Sequence, residues 1–381
     1  MSHSKFFLSS YRRHAAELVL LTMSGLNSPV AYALEWGLFG NVTYRDNTDQ
    51  DFNSDPIVAS LDLYAADQFT DKWSGLIEGV VARADDFNEA EIERVSLKYT
   101  FTEKFALSAG RFHTPLGYWN TTYHHGQRLF DTAERPFFLE FEDSERGTGV
   151  LPMHTVAMRA SGKWELNAGS YDYDLLVGNA HRLDSTEESH DDEEGAELDP
   201  RYRLDERSQL STTLRGKFTS IDNSWQLSIF GRDHTILDNG RISDGALAGR
   251  GNDLFQQQIL GADTRFEKGS WEFIAEYFYI RNKEKFADKN SHNSHAYYAQ
   301  LAYKISSNLK GVYRYSRLDF EDDDSYYQLL AAQDVAHHVF TLRYDINLNH
   351  TIKLEYDAID SKSSDANSAD IYRLQWSFHF F

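Results

Sequence analysis

The chain has 381 residues, no cysteine and a formal net charge of −21, and 14% of its residues are aromatic. The lack of cysteine excludes disulfide scaffolds and cysteine-based zinc or redox sites, and the negative charge argues against nucleic acid as a partner. No stretch approaches the roughly 20 apolar residues of a membrane-spanning helix. Apolar residues instead alternate with polar ones, which is expected of strands with one face in lipid and one in water.

The N-terminus has the pattern of a secretory signal peptide. A basic stretch that contains Arg12 and Arg13 precedes a short apolar run at residues 18–26, and a small-x-small cleavage site ends at Ala33. The apolar run is too short to remain as a membrane helix. We therefore expect residues 1–33 to be removed and leave them out of the fold argument.

From residue 34 onward the sequence repeats a unit of about ten alternating residues followed by a turn or a loop. Between Trp271 and Tyr279, for example, every second residue is aromatic or small and apolar. Tilted strands of roughly 9–11 residues cross a bilayer, and closure leaves no strand edge in lipid. Residues 34–381 are predicted to form an all-β, transmembrane antiparallel barrel of about sixteen strands.

Two classes of connection alternate along the chain, as in outer-membrane barrels with short periplasmic turns and long extracellular loops. The short turns are predicted at residues 102–104, 161–163, 220–223, 267–269, 305–308 and 346–349. The long loops are predicted near residues 46–55, 84–91, 112–152, 179–207, 233–253, 282–294, 319–335 and 359–369. Both ends of the chain then lie on the periplasmic side.

The strand positions between the apolar ones carry charge, which a water-filled lumen would accept. The predicted pore-lining bases are Arg94, Lys98, Arg159, Lys163, Arg215, Arg232, Arg265, Arg314, Arg343, Lys353 and Arg373. Acids such as Glu276 and Glu355 share that face. Charges in a narrow pore concentrate counter-ions and tune selectivity, although a merely solvated wall is an equal alternative. Arg111 is in phase with the lipid-facing residues, so only a bulge would bring it into the lumen.

The longest loop, residues 112–152, is the candidate constriction, because a loop of this length is usually functional or disordered. Its aromatic side chains favour packing against the inner barrel wall over a free surface loop. The residues assigned to this site are His113, Tyr118, Trp119, His124, His125, Arg128, Asp131, Glu134, Arg135, Glu140, Glu142 and Asp143.

The histidines offer a possible metal site, since imidazole binds zinc, copper and nickel. The pair His337–His338 opens a strand, where adjacent side chains point to opposite faces. No His-x-His or His-x₃-His spacing occurs, and the acidic run at 184–206 lacks the ligand spacing of a calcium loop. We expect no specific metal site and no cofactor.

Two segments resemble known outer-membrane proteins. Residues 108–120, Ser-Ala-Gly-Arg-Phe-His-Thr-Pro-Leu-Gly-Tyr-Trp-Asn, resemble the strand and turn before the long loop of sixteen-stranded porins related to the phosphate-selective type. Residues 372–381 resemble the terminal strand signal of bacterial barrels, with Phe381 out of phase. The resemblance implies a homotrimeric porin in the Gram-negative outer membrane, surrounded by lipid and lipopolysaccharide. It does not carry phosphate selectivity, because runs of lumen-facing lysine are not evident.

The predicted function is therefore passive diffusion of small hydrophilic solutes or ions through a porin that is not an enzyme. One alternative is a barrel with an adhesion or ligand-binding role and a plugged lumen. The other is a lipid-hydrolysing enzyme, which needs a nucleophile, a base and an orienting group on adjacent strands. No sequence motif joins such groups here.

Overall fold

The computed structural model describes ten stretches of the chain: residues 34–47, 56–84, 87–123, 126–139, 149–185, 196–199, 209–238, 253–285, 289–361 and 369–380. The predicted signal peptide, residues 1–33, lies outside these stretches. The described residues include no helix that is long and apolar enough to span a membrane.

Sixteen strands form one closed antiparallel ring, which confirms the predicted barrel. Each strand pairs with its sequence neighbours, and β1 pairs with both β2 and β18. The ring consists of β1 Glu35–Asn47, β2 Ile57–Gln68, β3 Trp73–Ala84, β4 Phe87–Thr102, β5 Phe105–His113, β6 His154–Leu166, β7 Gly169–Asn179, β10 Leu210–Ser220, β11 Trp225–Asp238, β12 Asp253–Lys268, β13 Trp271–Glu284, β14 Ser291–Lys304, β15 Leu309–Asp319, β16 Val335–Asp345, β17 His350–Ser361 and β18 Ala369–Phe380.

Two further strands, β8 Arg182–Ser185 and β9 Ala196–Asp199, form a hairpin outside the ring, so β7 pairs directly with β10. The hairpin falls within the predicted loop at 179–207, and β8 lies parallel to the end of β11. Two short helices, Tyr118–Thr122 and Ser325–Leu329, lie in the connections after β5 and β15. A sequence search for strand alternation does not detect elements of four or five residues.

The two faces of each strand differ in environment. In β13, Trp271 and Tyr277 point outward and are exposed, whereas Ile274, Glu276 and Phe278 point inward and are buried. Six of the seven tryptophans are exposed on the outer face, four beside short turns and two near the start of β1 and the end of β18: Trp73, Trp164, Trp225, Trp271, Trp36 and Trp376. Such a girdle is typical of barrels whose outer face meets a membrane interface.

The connection between β3 and β4 is shorter than predicted, and a β-bulge follows it in β4. Glu78 pairs with Arg94 and Gly79 with Ile92, so Glu93 is the extra residue. β4 also begins at Phe87, only two residues after β3 ends. The long loop predicted at 84–91 is therefore wrong: residues 87–91 belong to the strand.

The short turn predicted at 161–163 is also wrong, because β6 continues to Leu166. Gly162 lies within the strand, and Trp164 packs beyond it with ring centroids 5.8 Å from Tyr171 and 4.8 Å from Tyr173. These aromatic contacts across β6 and β7 favour the longer strand. The turn lies instead at residues 167–168.

Candidate pore and its inner segment

The described residues between β5 and β6, namely 114–123, 126–139 and 149–153, pack against inward-facing side chains of the barrel, and we call them the inner segment. Trp119, Phe130 and Phe138 of this segment are buried in one apolar cluster with Phe278 and Tyr298 of the wall. Burying an aromatic side chain of this size contributes about 1.5–3 kcal/mol. The main apolar core of the described chain therefore lies inside the barrel and attaches the segment to one side of it.

The first part of the inner segment is fixed by a buried carboxylate. Glu276 on β13 accepts hydrogen bonds at Oε1 from the Trp119 backbone N–H and from the Tyr298 hydroxyl, both at 2.6 Å. Arg215 on β10 donates to the Gly117 carbonyl at 2.5 Å and also pairs with Asp263 at 2.9 Å. Two wall residues thus hold the turn that leads into the short helix.

Gly117 permits this contact, because a Cβ at this position would lie 1.9 Å from Oε2 of Glu276. We expect Gly117→Ala to displace Glu276 and to lower the free energy of unfolding by about 2–4 kcal/mol, from lost buried hydrogen bonds and left-handed backbone strain. Gly269→Ala is a matched control, since Gly269 also has a positive φ but has nothing within 4 Å of its Cβ position. Urea unfolding should show the larger loss for Gly117→Ala, and equal losses would contradict the contact.

The second part of the inner segment is held through its backbone carbonyls. Arg314 on β15 donates to the Glu134 carbonyl at 2.9 Å, the Arg135 carbonyl at 3.0 Å and the Thr132 hydroxyl at 2.8 Å. Its guanidinium carbon also lies 5.6 Å from the Trp119 ring centroid. The planar guanidinium has donors in several directions, so one side chain can bind three acceptors.

A second basic anchor lies on β17. The Lys353 ammonium donates to the Thr132 carbonyl at 2.8 Å and the Gln127 carbonyl at 2.5 Å. The neighbouring inward residue, Glu355, accepts from the Ala133 backbone N–H at 2.6 Å. Base and acid thus hold opposite polar groups of the same stretch of backbone.

Asp131 is a buried acidic side chain of the segment that pairs with bases of the wall. It lies 2.7 Å from the Lys310 ammonium and 3.2 Å from the Arg343 guanidinium. Arg343 also donates to the Phe130 carbonyl at 2.8 Å. A buried carboxylate is tolerated when it is paired in this way.

The two ends of the inner segment are tied together. Asn120 donates to the carbonyls of Thr114 and Met153 at 2.8 and 2.9 Å, and the hydroxyls of Thr114 and Thr155 lie 2.7 Å apart. These bonds join the end of β5 to the start of β6. The two ends of the inner segment therefore lie side by side at the wall.

The eleven predicted pore-lining bases fall into three groups by the exposure of their side chains. Arg94, Arg159 and Lys163 keep 34%, 37% and 49% of the side chain exposed, and Lys98 is exposed as well. Arg265 is intermediate, with 19% of its side chain exposed. Arg215, Arg232, Arg314, Arg343 and Lys353 are buried, and the Arg373 side chain is only 9% exposed. The first group has the largest contact with water along the wall.

The exposed group lies on β4 and β6, where several bases pair with acids. Arg159 donates to Asp174 at 2.7 Å, Lys163 lies 2.6 Å from Glu165, and Arg94 pairs with Glu78. Exposed pairs of this kind contribute at most about 1 kcal/mol to stability. These pairs therefore contribute little to stability, and their main effect is to place charge on a wall that contacts water.

Four of the buried bases bind the inner segment directly: Arg215, Arg314, Arg343 and Lys353. Arg373 acts through Glu355, at 3.3 Å, and Arg232 donates to Thr155 at 3.0 Å. The alternation of the sequence predicts that these side chains point inward. It cannot distinguish a base that contacts water from one that the inner segment covers.

Within the predicted constriction site, Tyr118, Trp119, Asp131 and Arg135 are buried, and Arg128 and Glu134 are half-buried. Burial raises the pKa of the Tyr118 and Tyr123 hydroxyls, so both remain neutral phenols. His113 is the last residue of β5 and lies at the base of the segment. His124, His125, Glu140, Glu142 and Asp143 lie outside the described residues.

Three polar residues of the site were missed by sequence reasoning. Tyr298 donates to Glu276, Asn120 joins the ends of the segment, and Gln375 donates to the Ala133 carbonyl at 2.9 Å. Inward phase on β14 and β18 is a usable signal for Tyr298 and Gln375. No periodic signal marks Asn120, which lies in a single helical turn.

No family model matches the chain, and no curated protein matches it. Solved structures do match over almost the whole chain. The outer membrane channel DcaP of Acinetobacter baumannii is 15% identical, with a TM-score of 0.59, and the match covers 93% of this chain and 99% of that one. The anion-selective porin from Comamonas acidovorans is 9% identical, with a TM-score of 0.59 and coverages of 91% and 99%.

The trimer form of OmpT, an outer membrane protein of Vibrio cholerae, is 11% identical, with a TM-score of 0.54 and coverages of 92% and 100%. Identities this low establish a shared fold and nothing finer. The chain has the fold of the outer-membrane porins, with sixteen strands and a long connection after β5 packed against the inside of the barrel.

Proposed function

We propose that this chain is a porin of the Gram-negative outer membrane, which passes small hydrophilic solutes or ions down their gradients. One observation carries the proposal: inside a closed barrel, the inner segment covers one side of the wall while exposed charges remain on another. Arg159 and Lys163 represent the exposed side, and Trp119 and Arg314 the covered side. A plugged lumen would leave no such wetted charges.

In this proposal the inner segment is the constriction and the exposed bases of β4 and β6 form the opposite wall. A narrow passage between charged groups concentrates counter-ions and sets selectivity. Single-channel recording of the detergent-purified protein in a planar bilayer tests the proposal. Stepwise openings are expected, and a folded barrel without conductance would favour the adhesion or ligand-binding alternative.

Selectivity should depend on the exposed bases. The double variant Lys98→Glu, Lys163→Glu is expected to shift the reversal potential in a salt gradient toward cations, because each change replaces a positive by a negative charge on the wetted wall. Lys289→Glu, at an exposed position between β13 and β14, is the matched control. Its charge is screened beyond roughly 10 Å at 0.1 M salt, so its effect should be small. An unchanged potential in the double variant would remove these lysines from the ion path.

The sequence also resembles porins of the phosphate-selective type, and this resemblance raises the question of whether the channel prefers phosphate over other anions. Inorganic phosphate that reduces chloride current at low concentration would support it. Equal passage of phosphate and chloride would make the channel a general porin.

We also propose that the protein is a homotrimer surrounded by lipid and lipopolysaccharide. The trimer form of the Vibrio cholerae protein and the shared fold support the oligomer. Arg281 and Lys283, exposed near the loop end of β13, would suit anionic lipopolysaccharide. Closure of conductance in three equal steps is the expected sign of a trimer.

We propose that the protein has no catalytic activity. The inward-facing charges described above hold the inner segment or pair across strands, which accounts for them without a reaction. A lipid-hydrolysis assay on the folded protein tests this, and turnover that survives purification to homogeneity would favour the enzyme alternative.

A further inference from the structure

Strand pairing brings together three metal-ligating side chains at the base of the inner segment. Glu93, His113 and His154 come from β4, β5 and β6, and their ligand atoms all lie within 4.8 Å of one another. His154 Nε2 is 2.8 Å from Glu93 Oε2, and the two imidazole centroids are 5.6 Å apart. His113 and His154 are 41 positions apart in sequence and oppose each other across β5 and β6.

The burial of the cluster distinguishes it from a group of solvated charges. The side chains of His154 and Glu93 are only 2% and 3% exposed, and His113 is half-buried. A second cluster, His292 with Glu321 and Asp323, has two exposed acids and lacks this enclosure. The donor set of two imidazoles and one carboxylate is one that zinc uses, with a water or another group in the fourth position.

The bulge in β4 explains why the Glu93 carboxylate points toward the two histidines. Glu93 is the extra residue of the β4 bulge, and bulges re-aim side chains. Nearby, Glu91 and Arg111 form a 2.5 Å ion pair. The bulge lies on β4 and not on β5, so Arg111 keeps its predicted strand phase and reaches Glu91 from there.

We propose that Glu93, His113 and His154 bind one divalent transition-metal ion, with zinc as the best match. This site departs from the sequence expectation of no metal, because no residue spacing along the chain reveals ligands that meet through strand pairing. His113 immediately precedes the inner segment and His154 immediately follows it. A bound ion would therefore staple the two ends of the segment and hold its base against the wall.

The test uses the full-length, detergent-purified barrel after treatment with EDTA. Titration with Zn²⁺ in a calorimeter is expected to show one saturable site per chain, and Co²⁺ in place of Zn²⁺ should give the visible absorption of a tetrahedral site. Zinc should also raise the melting temperature and slow trypsin cleavage in the inner segment, because a ligand that binds only the folded state stabilises it.

Three variants locate the ion. Glu93→Gln and His154→Gln are expected to weaken zinc binding at least about 100-fold, beyond the 10–100-fold typical of changes behind the ligands. His292→Gln, in the exposed cluster, is the matched control and should bind as wild type does. Retained heat-modifiable mobility on gels shows that each variant is folded.

Two results would overturn the proposal. One is the absence of saturable zinc binding by wild type, which would leave the cluster an ordinary buried ion pair and is decisive even if a variant fails to fold. The other is a site that His292→Gln abolishes and His154→Gln leaves intact. Conductance is not used as a readout, so the metal site and the porin function are tested separately.

Discussion

Replacement of Arg314 by alanine is expected to release the inner segment from the barrel wall and to raise single-channel conductance above that of wild type. Arg314 is 2% exposed and donates to three acceptors of the segment. Without it, the carbonyls of Glu134 and Arg135 lose buried donors, and each unsatisfied group costs about 1–3 kcal/mol. We expect the free energy of unfolding to fall by about 3 kcal/mol, since water entry would offset part of the loss.

Two further variants separate anchoring from charge. Arg314→Lys keeps the positive charge, but a single ammonium cannot reproduce the guanidinium geometry, so it should also loosen the segment. Arg159→Ala removes an exposed inward base whose partner is Asp174, and it should cost less than about 1 kcal/mol. Trypsin provides the independent measurement, because release would expose the half-buried Arg128, which precedes Leu129, to cleavage. If Arg314→Lys matches wild type in conductance and in trypsin resistance, then charge rather than anchoring explains the alanine variant.

The barrel was predictable because its signal is local. Alternation with period two decides which side chains face lipid, and the outward exposure of Trp271 and the inward burial of Phe278 follow it directly. The two wrong connections have local causes as well. The sequence pattern predicts a turn where Gly162 lies within β6, and it predicts a loop at 84–91 where β4 has begun by Phe87 and contains the bulge at Glu93. A glycine within a strand gives the same local signal as a turn, and polar residues at the start of a strand give the same signal as a loop.

The site was predictable only in outline. Length and aromatic content indicate that residues 112–152 pack on the inner wall, as Trp119 and Phe130 do. Which bases the segment covers depends on contacts between residues far apart in sequence, such as the 179 positions between Lys310 and Asp131. Alternation assigns Arg159 and Arg314 to the same inward face, yet one is wetted and the other is buried. Distinguishing the two requires the docked position of the segment.

Trp119→Ala is expected to have the largest effect on the stability of the inner segment. Trp119 is fully buried, and its ring centroid lies 4.7 Å from that of Phe130, 5.1 Å from that of Tyr123 and 6.1 Å from that of Tyr298. Removing a buried tryptophan costs about 3–5 kcal/mol, through lost burial and the cavity that remains. The cation–π contact from Arg314 disappears with it, so the apolar and polar attachments weaken together.

Trp73→Ala is the matched control, because Trp73 is 41% exposed on the outer face, where its ring centroid lies 4.8 Å from that of Tyr99 on β4. Its loss should leave conductance unchanged, whereas Trp119→Ala should give larger or fluctuating openings from a barrel that still migrates as folded. The barrel can survive the change because its ring is closed by backbone pairing between β1 and β18, which does not involve the segment. If Trp119→Ala leaves conductance and trypsin resistance as in wild type, the inner segment does not limit the passage, and the constriction lies elsewhere in the barrel.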